Sequence, residues 1–230
     1  MIKKVCLVFL TLVVVLLAAA GVAWKLNGER WQQEYAAFRK TGAPVLMYHA
    51  VGPEEGADWP KTLIMKPELF EAHLQYLKEQ GYTIVTVAEL AERLQQGKSV
   101  DKYVALSFDD GYKNNHSVVL PILQKYDAKG SFFVINRDIG DELHMNEQEI
   151  KEIIAAGMEL GSHTYSHNPL AAIDEKYLVW ETDTSRYWLK KKFDGYIVRT
   201  LAYPNGSYND RVIAAAKKYG FYRALTGHVG

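Results

Sequence analysis

The sequence predicts an α/β fold, a distorted (β/α) barrel of about seven parallel strands. Two observations indicate this class. Short apolar segments alternate along the chain with amphipathic segments of helical period. In addition, the polar residues with candidate chemistry follow apolar segments, and β/α barrels place their functional residues at the carboxyl ends of strands. The rule of right-handed crossovers leaves an open doubly wound sheet as the alternative arrangement.

The individual elements follow from period, caps and breakers. Seven apolar segments are predicted to be strands: Val45–Tyr48, Thr83–Val85, Val104–Phe108, Ser131–Ile135, Met158–Gly161, Thr200–Tyr203 and Tyr222–Leu225. Six segments between them are predicted to be helices: Pro67–Gln80, Val87–Gln96, Asn114–Tyr126, Glu147–Ala156, Lys176–Lys192 and Asp210–Tyr219. Pro67 suits a first helical position, and Thr86 is placed to cap the helix that starts at Val87.

The N-terminal region is predicted to lie outside this domain. Residues 1–23 carry two lysines, Lys3 and Lys4, and then run to Ala23 without a charged side chain, which indicates a membrane anchor with the domain outside the cell membrane. A cleaved signal peptide, and hence a secreted protein, is the alternative. Residues 24–43 are polar and are interpreted as a stalk, and residues 44–230 are predicted to form one folded domain.

Composition excludes some classes of partner. The 27 basic and 27 acidic residues give a formal net charge of zero, so nothing favours nucleic acid as a partner. The only cysteine, Cys6, lies in the apolar N-terminal segment, so the domain itself forms no disulfide. The oligomeric state is left open by the sequence.

Two polar motifs indicate a metal site. Asp109 and Asp110 are adjacent at the end of a predicted buried strand, where two carboxylates repel each other unless a cation lies nearby. His163 and His167 follow another predicted strand at a spacing of four residues. One Asp and two His form a three-ligand set that leaves a zinc position open for water. The combination indicates a metal-dependent hydrolase, although each motif alone would be interpreted as a helix cap or as surface histidines.

These motifs resemble the signatures of the polysaccharide deacetylases (carbohydrate esterase family 4, the NodB homology domain). The first is Phe-Asp-Asp-Gly at residues 108–111, and the second is His-Thr-Tyr-Ser-His at residues 163–167. The segment Leu-Ala-Tyr-Pro-Asn-Gly at residues 201–206 resembles the third. The start of the domain, Pro-Val-Leu-Met-Tyr-His at residues 44–49, is similar to the branch that contains the poly-N-acetylglucosamine deacetylases of biofilms.

The resemblance implies a role for each site residue. Asp110, His163 and His167 would bind one divalent metal ion, which the donor set suggests is Zn²⁺. Asp109 would be the general base that deprotonates the attacking water. Residues Tyr203, Pro204 and Asn205 would bind substrate, with a backbone N–H in this segment holding the oxyanion. In the poly-N-acetylglucosamine branch the general acid comes from the first strand, which favours His49 here.

The acid has a second candidate and the family pattern has two departures. His228 resembles the acid of the commoner branch, at a spacing one residue longer. Ala202 stands where the third motif of the family carries an Arg, and Arg199 is the nearest basic residue in sequence. The sequence ends at Gly230, soon after the last predicted strand, so we expect either incomplete closure of the barrel or a truncated sequence.

The predicted function is the removal of N-acetyl groups from an extracellular N-acetylglucosamine polysaccharide, with release of acetate. Poly-N-acetylglucosamine, peptidoglycan and chitin-like polymers are all possible substrates. The alternatives are O-deacetylation of xylan at the same site, and a non-catalytic glycan-binding protein that keeps the fold. A cytosolic amidase for small cyclic substrates is disfavoured by the apolar N-terminal segment.

Overall fold

A computed structural model describes residues 43–52 and 63–227. The predicted anchor, almost all of the predicted stalk, and His228 lie outside the described residues. Within the described part, no helix is both long and apolar enough to cross a membrane.

Nine strands are described. In chain order they are β1 (Val45–Tyr48), β2 (Ala50–Val51), β3 (Ile64–Met65), β4 (Thr83–Val85), β5 (Tyr103–Phe108), β6 (Ser131–Val134), β7 (Glu159–Ser162), β8 (Thr200–Ala202) and β9 (Arg223–Leu225). All seven predicted strands are confirmed, with ends that differ by one residue at most. The short parallel pair of β2 and β3 was not predicted.

The main sheet has seven strands in the order β1-β5-β6-β7-β8-β9, and β4 also pairs with β5. Every one of these pairings is parallel. β4 pairs with the first half of β5 and β6 with its last two residues. β1 and β9 end the pairing order, and no ladder joins them within the described residues. The parallel architecture predicted from the sequence is confirmed as a half-barrel.

Helices connect the strands. They are α1 (Pro67–Glu79), α2 (Val87–Gln95), α3 (Leu120–Lys125), α4 (Glu147–Ala155), α5 (Glu175–Val179), α6 (Ser185–Lys192) and α7 (Asp210–Lys218). A π-helical turn at Asn115–Val119 precedes α3, and another at Trp180–Thr184 joins α5 to α6. Two of the six predicted helices are therefore each interrupted by a wider turn. The predicted cap is confirmed, because Thr86 and Glu89 form a capping box at the start of α2.

Side chains alternate across the sheet and divide the core into two parts. On β5, Val104, Leu106 and Phe108 are fully buried in the larger apolar cluster, which also contains residues of the helices. The Phe108 ring stacks on Phe132, with 4.8 Å between the ring centroids. Ala105 points to the opposite face and belongs to a smaller apolar cluster inside the half-barrel.

The inner face is tightly packed. Gly161 of β7 lies opposite Phe133 of β6, and a Cβ at Gly161 would lie 2.3 Å from the Phe133 ring. Any other residue here would displace that ring. Since His163 lies two residues beyond Gly161, it belongs to the same inner face, at the carboxyl end of β7.

Candidate metal centre and active site

Three predicted ligands meet at the carboxyl edge of the sheet. Asp110 follows β5, and His163 and His167 follow β7. One ligand atom from each lies within 4.8 Å of the other two, and Asp110 Oδ1 is 3.5 Å from the Nε2 atoms of both histidines. Two donors of a tetrahedral ion at about 2.0–2.2 Å lie about 3.3–3.6 Å apart, so the two 3.5 Å separations from Asp110 match such an ion. The donor set therefore fits one metal ion of the zinc type.

The site is open on one side. The side chains of Asp110 and His163 are 10% and 3% exposed, whereas that of His167 is 32% exposed. Two ligands are thus held from within the half-barrel and the third lies at its rim. A substrate can approach a bound metal from the side of His167.

Left-handed backbone conformations bring the ligands to this edge. Asp110 has φ 71° and the next residue, Gly111, has φ 81°. A Cβ at Gly111 would lie 2.9 Å from the Val134 side chain, so only glycine fits there without a shift. In the second motif, Thr164 and His167 have φ 70° and 61°. Such conformations cost energy for residues other than glycine, and they are concentrated at functional sites.

His163 is held as a neutral ligand. Its Nδ1 lies 2.9 Å from the carbonyl oxygen of Ala202, and because a carbonyl only accepts, Nδ1 carries the proton. Nε2 is then free to bind a metal. Burial lowers the pKa of His163, although the nearby Asp110 acts in the opposite direction. Burial is the larger effect, so the ring is neutral at physiological pH.

Asp109 is a buried carboxylate beside the ligands. It is 7% exposed, and its Oδ1 has no hydrogen-bond partner in the described structure. Burial and repulsion by Asp110 raise its pKa to about 7. Its backbone N–H donates to Tyr48 O at 2.9 Å, which fixes its position at the end of the sheet. A carboxylate with this pKa accepts and releases a proton near neutral pH, as a general base must.

His49 lies beside the same site. It directly follows β1, its carbonyl accepts from Asn115 Nδ2 at 2.8 Å, and the preceding Tyr48 hydrogen-bonds His73. Burial lowers the pKa of His49, while Asp110 raises it and His167 lowers it. Because the charges of Asp110 and His167 both affect the pKa of His49, its side chain lies near these two candidate ligands. Its role as the acid stays a prediction, and His228 lies outside the described residues.

The third motif narrows the choice of oxyanion donor. The N–H of Tyr203 donates to Leu225 O at 3.0 Å, and Pro204 has no N–H. Of the three predicted residues, only Asn205 therefore has an N–H outside the sheet ladder, and its φ of 54° places it in a tight turn. Tyr203 is buried and stacks on Tyr208, so its ring supports the turn.

Arg199 does not take the place of the missing third-motif Arg. It precedes β8, at the edge of the sheet opposite the ligands, and its guanidinium lies over the Tyr222 ring at 5.7 Å. Ala202 contributes its backbone carbonyl to His163 instead of a charged side chain. The pKa of Asp109 is therefore set by burial and by repulsion from Asp110, without a basic side chain that would lower it.

Two residues at the site were missed by sequence reasoning. Burial raises the pKa of Tyr112, and the neighbouring Asp110 raises it further through its charge and a hydrogen bond. Glu181, in the π-helical turn, binds the loop between His163 and His167. Tyr112 follows the first motif closely and could have been suspected for that reason. Glu181 lies in a predicted amphipathic helix, where a charge is usually solvent-exposed.

Together, the parallel half-barrel and the Asp-His-His cluster beside a buried carboxylate are the arrangement expected of an α/β hydrolase that uses a metal ion. The sequence profile of the family described as polysaccharide deacetylase matches residues 96–224. The chain belongs to this family, and the family prediction is confirmed. Members of the family are metal-dependent hydrolases that act on amide bonds.

Individual relatives agree with this assignment. The chain is 33% identical over 191 residues to the Bacillus subtilis protein YxkH, covering 81% of this chain and 65% of YxkH. It is 28% identical over 174 residues to poly-beta-1,6-N-acetyl-D-glucosamine N-deacetylase of Staphylococcus aureus, covering 70% of this chain and 60% of that protein. The chain thus spans less than two thirds of both relatives.

Among solved structures, the Streptococcus pyogenes deacetylase PplD in complex with acetate is 32% identical, with a TM-score of 0.70. The match covers 78% of this chain and 80% of PplD. The half-barrel is therefore similar to that of a deacetylase crystallised with acetate.

Proposed function

We propose that this protein is an exported, zinc-dependent deacetylase that removes N-acetyl groups from a polysaccharide containing N-acetylglucosamine, and that it releases acetate. One observation carries the proposal: three ligands with tetrahedral spacing lie next to a buried carboxylate that has an unpartnered oxygen. A metal ion that polarises the carbonyl, next to a base that deprotonates water, is one established arrangement for hydrolysing an unactivated amide.

Asp110, His163 and His167 would hold the metal ion. When bound, Zn²⁺ polarises the acetamide carbonyl and lowers the pKa of water to about 7. Asp109 would accept the proton of the attacking water. The Asn205 N–H would donate to the oxygen of the tetrahedral intermediate, and His49 would protonate the departing amine. The products are acetate and a free amino sugar.

Relatives support the choice of substrate. The staphylococcal relative is named for poly-beta-1,6-N-acetyl-D-glucosamine. The Met-Tyr-His segment at residues 47–49 is similar to the same branch. We therefore place poly-N-acetylglucosamine before peptidoglycan and chitin-like polymers. The apolar segment of residues 5–23 supports an anchored location with the domain outside the membrane, and a secreted form remains the alternative.

The test is acetate release by the full chain from three substrates: β-1,6-linked N-acetylglucosamine oligomers, β-1,4-linked oligomers and O-acetylated xylan. Each substrate is assayed with zinc, with chelator and with the variant Asp109→Asn. We expect the fastest release from the β-1,6 oligomers, and loss of release with either chelator or the variant. Release only from xylan would assign the protein as an esterase. Binding of oligomers by the folded, zinc-loaded chain without release from any substrate would indicate a non-catalytic glycan-binding protein.

A further inference from the structure

Glu181 is a buried carboxylate away from the reacting atoms. It is 2% exposed and lies in the π-helical turn Trp180–Thr184. A buried ionised carboxylate is costly unless hydrogen bonds satisfy both of its oxygens. Here they do, and all of the donors come from one loop, residues 165–168. The Glu181 carboxylate therefore binds that loop through both of its oxygens.

The loop carries one of the three candidate metal ligands, His167. Glu181 Oε2 accepts the backbone N–H groups of Tyr165 and Ser166 at 2.9 and 2.8 Å. Its Oε1 accepts from the Ser166 hydroxyl in a short bond and from Asn168 Nδ2 at 3.0 Å. Tyr165 and Ser166 are the two residues immediately before His167. Glu181 thus fixes the backbone of the two residues that precede His167.

This loop needs external support. Thr164 and His167 both have left-handed backbone conformations, which cost of order 1–3 kcal/mol each and persist only where surrounding structure fixes them. Within the loop, His167 N–H donates to Thr164 Oγ1 at 3.0 Å. From outside, the Asn136 and Arg137 N–H groups donate to the carbonyl oxygens of Thr164 and Tyr165 at 3.2 and 2.9 Å. Glu181 adds four further hydrogen bonds and is the only side chain among these outside partners.

The π-helical turn ties Glu181 to the strand that carries the other histidine. One turn further, the Ser185 hydroxyl lies 2.8 Å from Ser162 Oγ, at the end of β7, and donates to Asn136 Oδ1 at 2.9 Å. His163 directly follows Ser162. The same helical segment therefore contacts the end of β7 beside His163 through Ser185, and the loop of His167 through Glu181.

From this geometry we propose that Glu181 is a positioning residue, which sets the place of His167 relative to His163 and thereby the affinity of the site for its metal. The proposal rests on the metal site of the proposed function, although it does not depend on the substrate. Partners that orient metal ligands typically change metal affinity by 10–100-fold when they are removed.

The chain offers a matched control. Glu159 is also a buried carboxylate, 8% exposed, but it lies at the opposite end of β7. Its oxygens accept from Ala88 N at 2.9 Å, from Ser131 Oγ at 2.7 Å and from Thr200 Oγ1. Glu159→Gln therefore perturbs a buried carboxylate of the same kind without touching the loop of His167.

The experiment uses the full chain as wild type, Glu181→Ala, Glu181→Gln and Glu159→Gln. Zinc affinity is measured by competition with a chromophoric chelator. Exchange of the Tyr165 and Ser166 amides is measured by NMR on the metal-free protein, and thermal unfolding reports stability. We expect zinc binding to weaken by about 10–100-fold in Glu181→Ala. Glu181→Gln, which keeps one acceptor oxygen, should lie between it and the wild type. Both amides should exchange faster in the two Glu181 variants only.

A merely structural role predicts a different pattern. If Glu181→Ala lowers the melting temperature as Glu159→Gln does, while the folded protein binds zinc with wild-type affinity, the proposal is overturned. Unchanged exchange at Tyr165 and Ser166 would overturn it as well, and so would a wild-type chain that binds no zinc. A wild type that binds zinc tightly but releases no acetate would contradict the proposed function and leave the role of Glu181 intact.

Discussion

Two buried carboxylates, Asp109 and Glu159, lie at opposite ends of the same half-barrel. They have nearly equal exposure, 7% and 8%. Glu159 begins β7 and receives hydrogen bonds on both of its oxygens, whereas Asp109 follows β5 and has an unpartnered Oδ1. Burial is thus nearly equal at the two positions, whereas the hydrogen bonding of the carboxylate and the charge next to it differ.

The difference in hydrogen bonding indicates that Glu159 stabilises the fold, whereas Asp109 is available for chemistry. Glu159 joins the N-terminus of α2 to β6 and β8, since its partners are Ala88, Ser131 and Thr200. Asp109 joins nothing through its free oxygen, and burial with repulsion by Asp110 raises its pKa to about 7. A buried acceptor without a partner lowers stability, so its retention next to three metal ligands indicates a functional role.

The largest effect is expected at Asp109. Asp109→Asn should reduce the rate of acetate release by about 10²–10⁴-fold, because the general base is lost. Removal of an unpaired buried carboxylate should leave the melting temperature of the metal-free protein unchanged or raise it. Acetate release and thermal unfolding are measured on the same preparation. If Asp109→Asn lowers the melting temperature and its loss of activity is explained by the unfolded fraction, Asp109 has a structural role and not a catalytic one.

The second largest effect is expected when one of the proposed metal ligands is removed. Zinc at about one hundred times its dissociation constant should stabilise the wild-type protein by about 2.7 kcal/mol. His167→Ala should abolish this gain, because His167 supplies one of the three donors. Thermal unfolding with and without zinc checks the prediction, with His116→Ala as the control, since His116 pairs with Glu152 away from the site. Equal stabilisation of wild type and His167→Ala would place the zinc elsewhere.

Glu159 should behave in the opposite way to Asp109. Glu159→Gln should lower the free energy of unfolding by about 1–3 kcal/mol, since donors of the buried cluster lose a charged acceptor. Acetate release per folded molecule should be unchanged. Denaturant unfolding gives the free energy, and activity is normalised to the folded fraction. A large loss of activity in a fully folded variant would show that the two carboxylates are not separated in this way.

The smallest effect is expected at Arg199. Its side chain lies over Tyr222 at the edge of the sheet opposite the ligands. Arg199→Ala should change stability by no more than about 0.5 kcal/mol, as for most surface substitutions, and should leave acetate release unchanged. A drop in release of tenfold or more would mean that Arg199 replaces the missing third-motif Arg after all.

The sequence was sufficient for the strands of the main sheet and for bringing the three candidate ligands together. The strands of this sheet are short apolar runs bounded by glycine or polar residues, and Asp110, His163 and His167 could be placed at one edge because parallel strands share it. Thr86 as a cap is also a local signal, since its partner Glu89 lies only three residues away.

The remaining features depend on contacts that are distant in sequence. The turn at Trp180–Thr184 differs from an α-helix only in hydrogen-bond spacing, and an amphipathic pattern does not report that difference. The role of Glu181 depends on a loop about fifteen residues earlier, and that of Glu159 on residues in three other elements. Likewise, the loss of the Tyr203 N–H as an oxyanion donor follows from the register of β8 against β9.

The most direct test of the account is a zinc titration of the metal-free full chain, with acetate release from β-1,6-linked N-acetylglucosamine oligomers measured at each point. The account predicts that release rises with bound zinc and reaches its plateau at one zinc per chain. In Asp109→Asn, zinc should bind with the same stoichiometry while release stays near zero. Release that does not depend on zinc, or wild-type release by zinc-loaded Asp109→Asn, would contradict the account.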